Sequence, residues 1–173
     1  LFDIQAQLLY YNSAWLKRLK TDAPPVSWDQ FRTLSNAAHD KKAGTWGFAF
    51  DGSWLSISSW IASLGGSLLD RSGQLSLASS AASEALTTLD DLRQDGSVVC
   101  SYESDAARQE LASEKALFTI DSTAQLHSYQ SAIVNPKTQK AKFSWDVAPL
   151  PSVTSEPAVV VEGLTVGMLR TSP

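Results

Sequence analysis

Residues 46–66 read Trp-Gly-Phe-Ala-Phe-Asp-Gly-Ser-Trp-Leu-Ser-Ile-Ser-Ser-Trp-Ile-Ala-Ser-Leu-Gly-Gly. The first five suit a short buried strand, Trp46 to Phe50. Asp51-Gly52-Ser53 has the composition of a turn. From Trp54 to Leu64 the apolar residues Leu55, Ile57, Trp60, Ile61 and Leu64 suit a helix, and Gly65-Gly66 stops it. A strand that turns directly into a helix is the repeating unit of α/β layers.

The alternation continues on both sides. Upstream, Leu8 to Tyr11 is an apolar, aromatic run that reads as a buried strand. Asn12 caps a helix through Lys20 with Trp15, Leu16 and Leu19 on one face, broken by Ala23-Pro24-Pro25. Ser27 and Gln30 fit a capping box flanked by a Val26–Phe31 staple, and Trp28, Phe31, Leu34 and Ala38 extend that helix to about Lys41. Downstream, Leu68-Leu69 and Gln74-Leu75 flank a turn and suggest a small hairpin. Helices are expected from Ser80 to Gly96, from Ser104 to about Ser113, and from Asp121-Ser122 to Ile133. Strands are expected at 116–120, 143–148 and 158–161.

Composition bounds the function. The chain has 173 residues, 43% hydrophobic and 18% charged, enough for one domain or one lobe with an ordinary core. Fourteen basic against eighteen acidic residues give a net charge of −4, which argues against a general nucleic-acid binder. No apolar run reaches the length of a membrane span. Cys100 is the single cysteine, so no internal disulfide or Cys-rich zinc site is possible. Its place after Val98-Val99 predicts a buried, poorly reactive thiol. His39 and His127 lie too far apart for an H-x-x-x-H pair. No G-x-S-x-G, P-loop, G-x-G-x-x-G or S-x-x-K motif is present, and nothing in the spacing of the carboxylates singles out a catalytic pair. His127, close to Asp121 and Ser122, reads as a helix-surface residue. The chain opens on Leu1 and stops soon after the apolar run Val159 to Leu169, which suggests a processed or excised piece.

Two loops stand out. Trp15, Trp28, Trp46 and Trp60 fit core positions, but Trp54 sits where a strand ends and a helix starts. Strand ends of open α/β sheets face the ligand crevice, and an indole there can stack on a sugar ring; the plainer role is to staple its own helix. Asp121-Ser122-Thr123 likewise follows a strand and opens a helix, suited to binding a polar solute or to N-capping by Ser122 alone.

Longer motifs carry a resemblance. Leu-Leu-Tyr-Tyr-Asn-x-x-Trp-Leu, Ala-Pro-Pro-x-x-Trp-Asp-Gln-Phe, Trp-Gly-Phe-Ala-Phe-Asp-Gly-Ser-Trp, Ala-Ser-Leu-Gly-Gly-Ser-Leu-Leu-Asp, Ala-Leu-Phe-Thr-Ile-Asp-Ser-Thr and Phe-Ser-Trp-Asp-Val-Ala-Pro-Leu-Pro follow one another along nearly the whole chain. Their order and spacing resemble the extracellular solute-binding proteins of bacterial ABC transporters, in the group that takes up maltose-like sugars and glycerol-3-phosphate. The resemblance implies an α/β fold: a three-layer αβα lobe of the type II periplasmic binding protein fold. It implies that residues 1–158 form the second of two lobes, with Leu1 to Asn12 as the crossover strand leading in. Residues 143–161 would lead back, and 159–173 would start the return crossover. It implies ligand contacts at Asp51, Ser53 and Trp54, at Ser122 and Thr123, and at Glu162-Gly163, where the family usually has Gly-Gly.

Three departures bear on the solute. Ala124 stands where many sugar binders have an aromatic, which weakens a maltodextrin assignment and leaves a hydroxyl cluster more like that of glycerol-3-phosphate binders. Glu162 would accept sugar hydroxyls or repel a phosphate. Glu114 replaces a common glycine, which bears on a helix end.

The expected function is solute capture by hinge closure for an ABC importer, without catalysis or cofactor. The expected partners are a sugar or glycerol-phosphate-like solute and permease subunits, in a monomeric, extracytoplasmic protein that is periplasmic or lipid-anchored. A secreted carbohydrate-active enzyme and a sensory binding protein on the same scaffold are the alternatives.

Overall fold

A mixed sheet forms the middle layer. A computed structural model describes residues 3–70, 72–75, 77–103, 105–154 and 158–164. Its strands are β1 (Asp3–Tyr11), β2 (Trp46–Phe50), β3 (Val98–Cys100), β4 (Ala116–Ser122), β5 (Asp146–Ala148) and β6 (Val161–Leu164). The order is β3-β2-β4-β1-β5, with β6 pairing β1. β2 is parallel to β3 and β4, whereas β1 is antiparallel to β4, β5 and β6. β1 changes partner midway: Gln7 to Tyr11 pair with β4, and Asp3 to Ala6 pair with β6.

The helices are α1 (Ser13–Arg18), α2 (Trp28–Ala38), α3 (Trp54–Ser63), α4 (Ser80–Gln94), α5 (Ala106–Ala112) and α6 (Leu126–Ile133), the last preceded by a 3₁₀ turn, Thr123–Gln125. They cover both faces of the sheet. On one face, Leu9 and Tyr11 of β1, Phe48 and Phe50 of β2, and Phe118 and Ile120 of β4 pack with α1 to α4 around Trp28, Phe31 and Trp60. Trp28 and Trp60 stack at 4.2 Å, and the Trp28 ring N–H donates to the Ser63 hydroxyl at 3.0 Å. On the other face, Tyr10 meets Leu111 of α5 and Tyr129 and Ile133 of α6. Alternate residues of β1 thus feed opposite cores, as strand geometry requires. The three-layer α/β architecture expected from the alternation is present.

α2 lies unusually close to the sheet. A Cβ on Gly47 would fall 2.1 Å from the Ser35 carbonyl oxygen, so only glycine lets the backbones approach this closely.

Capping explains most helix starts. Asn12, Ser27, Ser53 and Ser79 each accept a backbone N–H from the first turn. The expected box at Ser27 is shifted by one residue: Gln30 Oε1 takes the N–H of Val26. Val26 itself is 69% exposed rather than tucked into a staple. α2 stops at Ala38, short of Lys41, because Asp40 pairs with Thr45 and its carboxylate takes the N–H groups of Lys42 and Ala43. Glu114 has φ 61°, confirming a left-handed residue just beyond α5 where glycine would relax the chain.

Other boundaries move. β3 was not among the expected strands; its three residues form too short a run to read alone. β5 begins at Asp146 rather than 143, because the Ser144 carbonyl accepts Ala14 N–H instead of a ladder bond. β6 lies at Val161–Leu164 rather than 158–161, in register with Asp3 to Ala6. The hairpin at Leu69 and Leu75 is present as a bridge. The start expected at Ser104 and the return segment 165–173 lie outside the described residues.

Cys100 requires a correction: it is exposed, not buried. Among the described residues β3 pairs only with β2, and burial falls along it from Val98 to Cys100. Partial burial still pushes the thiol pKa up, opposed by the charge of Arg93.

Candidate functional site

The parallel strands β3, β2 and β4 all end at one edge of the sheet. This edge gathers the loops after Cys100, Phe50 and Ser122. In the middle loop, Asp51 Oδ1 accepts Ser53 N–H at 3.1 Å, folding the turn back on itself. Gly52 has φ +69°, a conformation costly to other residues. Ser53 caps α3, accepting Ser56 N–H at 3.1 Å and donating its own hydroxyl to Ser56 Oγ at 3.0 Å. Trp54 opens α3 and is 67% exposed, unlike the core residues Trp28 and Trp60. Its ring borders an apolar groove of about 320 Å³ with Leu68, Leu69, Leu75 and Val160.

The second loop is tied to β1. The Ser122 hydroxyl donates to Gln5 Oε1 at 2.9 Å and accepts Ala124 N–H at 3.2 Å. Thr123 Oγ1 accepts Ala6 N–H at 3.2 Å. Ser122 is 7% exposed, so its side chain shapes the loop more than it presents itself to solvent. Opposite Gln5 on β6 stands Glu162, and opposite Ile4 stands Gly163; both β6 residues are exposed. Directly opposed residues of an antiparallel pair share a face, so Gln5 and Glu162 extend the Ser122 loop onto the β1–β6 ribbon.

Beneath the loops lies a polar support. The Tyr10 and Tyr129 rings stack at 4.1 Å. Tyr10 O–H donates to the Ser122 carbonyl at 2.7 Å, and Tyr129 O–H donates to Asp121 Oδ2 at 3.0 Å. Burial pushes both phenol pKa values up, reinforced by the Asp121 charge, so both remain donors at neutral pH. The Asp121 carboxyl is pushed up mainly by burial and also by nearby Asp51; hydrogen bonds from Ser122 N–H and Tyr129 O–H, with Arg108, pull it back down. Arg108 is held by Asp105 and by Gln125, to which it donates at 2.9 Å.

The structure therefore brings Asp51, Ser53, Trp54, Ser122 and Thr123 to one edge and leaves Glu162 and Gly163 on the adjoining ribbon. Sequence reasoning missed Gln5, Arg108 and Tyr129 as supports. Their roles depend on pairings with residues far along the chain. Among the described residues no group of His, Cys, Asp and Glu is placed to hold a metal ion. A larger cavity, about 740 Å³, lies between Trp15, Arg18, His39, Thr45 and Glu114, at the opposite ends of β2 and β4. It lacks the convergent loops of the strand-end edge, where open α/β sheets place their ligands.

Comparison with known proteins supplies the family. The sequence profile of the bacterial extracellular solute-binding proteins matches residues 2–173. The chain belongs to this family. Membership places it outside the cytoplasm, and no helix among the described residues is long and apolar enough to cross a membrane. A solute-binding protein of an ABC transporter from Thermotoga lettingae, solved with α-D-tagatose, superposes with a TM-score of 0.76 at 22% identity, over 92% of this chain and 42% of that one. UgpB from Mycobacterium tuberculosis, in complex with glycerophosphocholine, gives 0.74 at 19% identity, over 92% and 39%. Maltose-bound MalE3 from Thermotoga maritima gives 0.72 at 23% identity, over 91% and 41%. At these identities the likeness establishes the type II periplasmic binding protein fold. The chain spans about two fifths of the length of these solved structures. A search of curated protein sequences finds no match.

Proposed function

We propose that this chain is the second lobe of the substrate-binding component of an ABC importer, and that it captures a sugar or glycerol-phosphate-like solute without transforming it. The observation that carries this is the exposed indole of Trp54 beside Asp51, at the edge where β2 and β4 end. Trp54 offers an apolar face to a ring, and Asp51 offers acceptors to hydroxyls. Ser53 orients this pair as the α3 cap, while Ser122 and Thr123 set the neighbouring loop against β1. Glu162 and Gly163 on β6 flank the solute where the chain crosses towards a first lobe. Closure of that lobe over the edge expels water and strengthens each polar contact. The closed form then docks on permease subunits as a monomer.

The test is calorimetry on the two-lobe protein with monosaccharides, disaccharides, ribitol, glycerol-3-phosphate and glycerophosphocholine. Binding of one class with a single site supports the reading. Turnover of a glycoside instead of stable binding would establish the enzyme alternative, and copurification with a kinase rather than permease subunits the sensory one. Binding by the isolated lobe is expected to be far weaker than by the two-lobe protein; equal affinity would refute the two-wall arrangement.

A further inference from the structure

Charge is sorted between the two ends of the lobe. β2, β4 and β5 start, and β1 stops, at the end away from the solute edge. The lysines belong to that far end: Lys17 and Lys20 follow β1, Lys41 and Lys42 precede β2, Lys115 precedes β4, and those of segment 137–142 precede β5. The solute edge is the reverse. Its loops carry Asp51, Asp105, Asp121 and Glu103, the last held by its N–H to the Ser101 hydroxyl at 3.3 Å in the turn around Tyr102. Glu162 adds a further carboxylate on the β1–β6 ribbon, opposite Gln5. Among the described residues the cation of these loops is Arg108, and it is already engaged. Its side chain is 10% exposed, pairs with Asp105, donates to Gln125 at 2.9 Å and lies over the Tyr129 ring. The chain's own anions also hold places that suit a bound phosphate. Asp51 Oδ1 accepts Ser53 N–H at 3.1 Å at the start of α3, and Asp121 Oδ1 accepts Ser122 N–H at 2.7 Å at the turn leading to α6. Backbone N–H groups at helix starts attract anions, and here a carboxylate answers at each of the two turns.

We propose that the solute carries a positive charge, as a sugar or polyol bearing a primary ammonium group, and that Asp51 and Glu162 set this preference while phosphate esters are turned away. This rests on the solute-capture reading above and narrows it. An ammonium brings three donors and no acceptor, whereas an ionised carboxylate only accepts. The same cation gains from the face of an exposed indole such as Trp54. A phosphate ester brings acceptors and negative charge to a wall that already has both. Water expelled on closure would strengthen the attraction for the one and the repulsion of the other.

The test is calorimetry on the two-lobe protein at about pH 6, where primary amines are protonated. The probes are D-glucosamine and D-galactosamine against D-glucose and D-galactose, with glucose-6-phosphate and glycerol-3-phosphate as the anionic arm. The expected result is an amino sugar that binds at least about tenfold tighter than its neutral parent, with a ratio that shrinks between about 20 mM and about 500 mM salt. That ratio should fall at least about threefold in Asp51→Asn and in Glu162→Gln. It should hold in Glu84→Gln, which removes the same charge from an exposed position on α4. Taking the ratio within each variant separates charge preference from any loss of folded protein. Equal affinity for amino sugar and parent overturns the proposal, as does a ratio that neither edge variant moves. If wild type prefers a neutral sugar, a polyol or a phosphate ester, the capture reading stands and the charge preference falls. If it binds no sugar, amino sugar, polyol or glycerophosphate, both fall.

Discussion

Replacing Trp54 by alanine separates a binding indole from a packing one. The side chain is 67% exposed, so most of its surface is available to a solute and little of it supports the fold. A buried tryptophan covers about 200 Å², and a ring stacked on one face removes roughly 80 Å² of it from water. At 25 cal/mol per Å² this amounts to about 2 kcal/mol, or about thirtyfold in affinity. The stability change should stay within about 0.5 kcal/mol, which is about 2 °C in Tm for a chain of this size. The assay is calorimetric titration of wild type and Trp54→Ala, in the two-lobe protein, with whichever member of the sugar, polyol and glycerophosphate panel binds tightest. A thermal melt of each accompanies it. A dissociation constant within about threefold of wild type, with an unchanged melt, places the indole outside the site. A melt lowered by more than about 5 °C assigns it to the core and refutes the reasoning on exposure.

Three further outcomes follow from the packing and the charges. Gly47→Ala forces a Cβ into the Ser35 backbone and pushes α2 off the sheet, so it should cost roughly 3 kcal/mol. Gly44→Ala, with open space but φ +67°, should cost only about 1–2 kcal/mol; equal urea midpoints for the two variants would refute the close approach. The folded Asp121 carboxyl keeps its proton to higher pH than the unfolded one, so its contribution lowers stability as pH rises from about 4 and levels off above the folded pKa. Asp121→Asn should therefore gain on wild type between acid and neutral pH in urea unfolding, and parallel pH curves would contradict the burial effect. Cys100 should label to completion in the native protein, but more slowly at pH 7 than a free thiol because its pKa is raised. Complete protection from the reagent would restore the buried reading.

What the sequence disclosed was local in origin. Strand, turn and helix in residues 46–64 were legible because the period changes at Asp51-Gly52-Ser53, and Ser53 is a cap by both chemistry and position. Trp54 stood out for the same reason: it falls between two periodic segments and belongs to neither core. Pairing-dependent features were not legible. β3 has three residues and becomes a strand only through β2. Without β3, Cys100 read as buried, and Tyr102 had no assigned place at the edge. Gln5 and Tyr129 look like ordinary strand and helix residues until register brings them to Ser122 and Asp121. β6 shifted by three residues because its partner, not its own apolar run, fixed where it pairs.

The position of β1 has a kinetic consequence. Among the described strands it comes first in sequence and lies between β4 and β5, with Leu9 opposite Ile120 on one side and Ala148 on the other. Its hydrogen bonds therefore close the longest loops among the described strands, and non-local pairing of this kind slows folding. While the intervening segment is still being made, β2 and α2 can associate locally, but the sheet has no centre and the cores on its two faces cannot close. Until β5 and β6 have been made, one side of β1 stays unpaired and the apolar residues of both cores stay open to solvent.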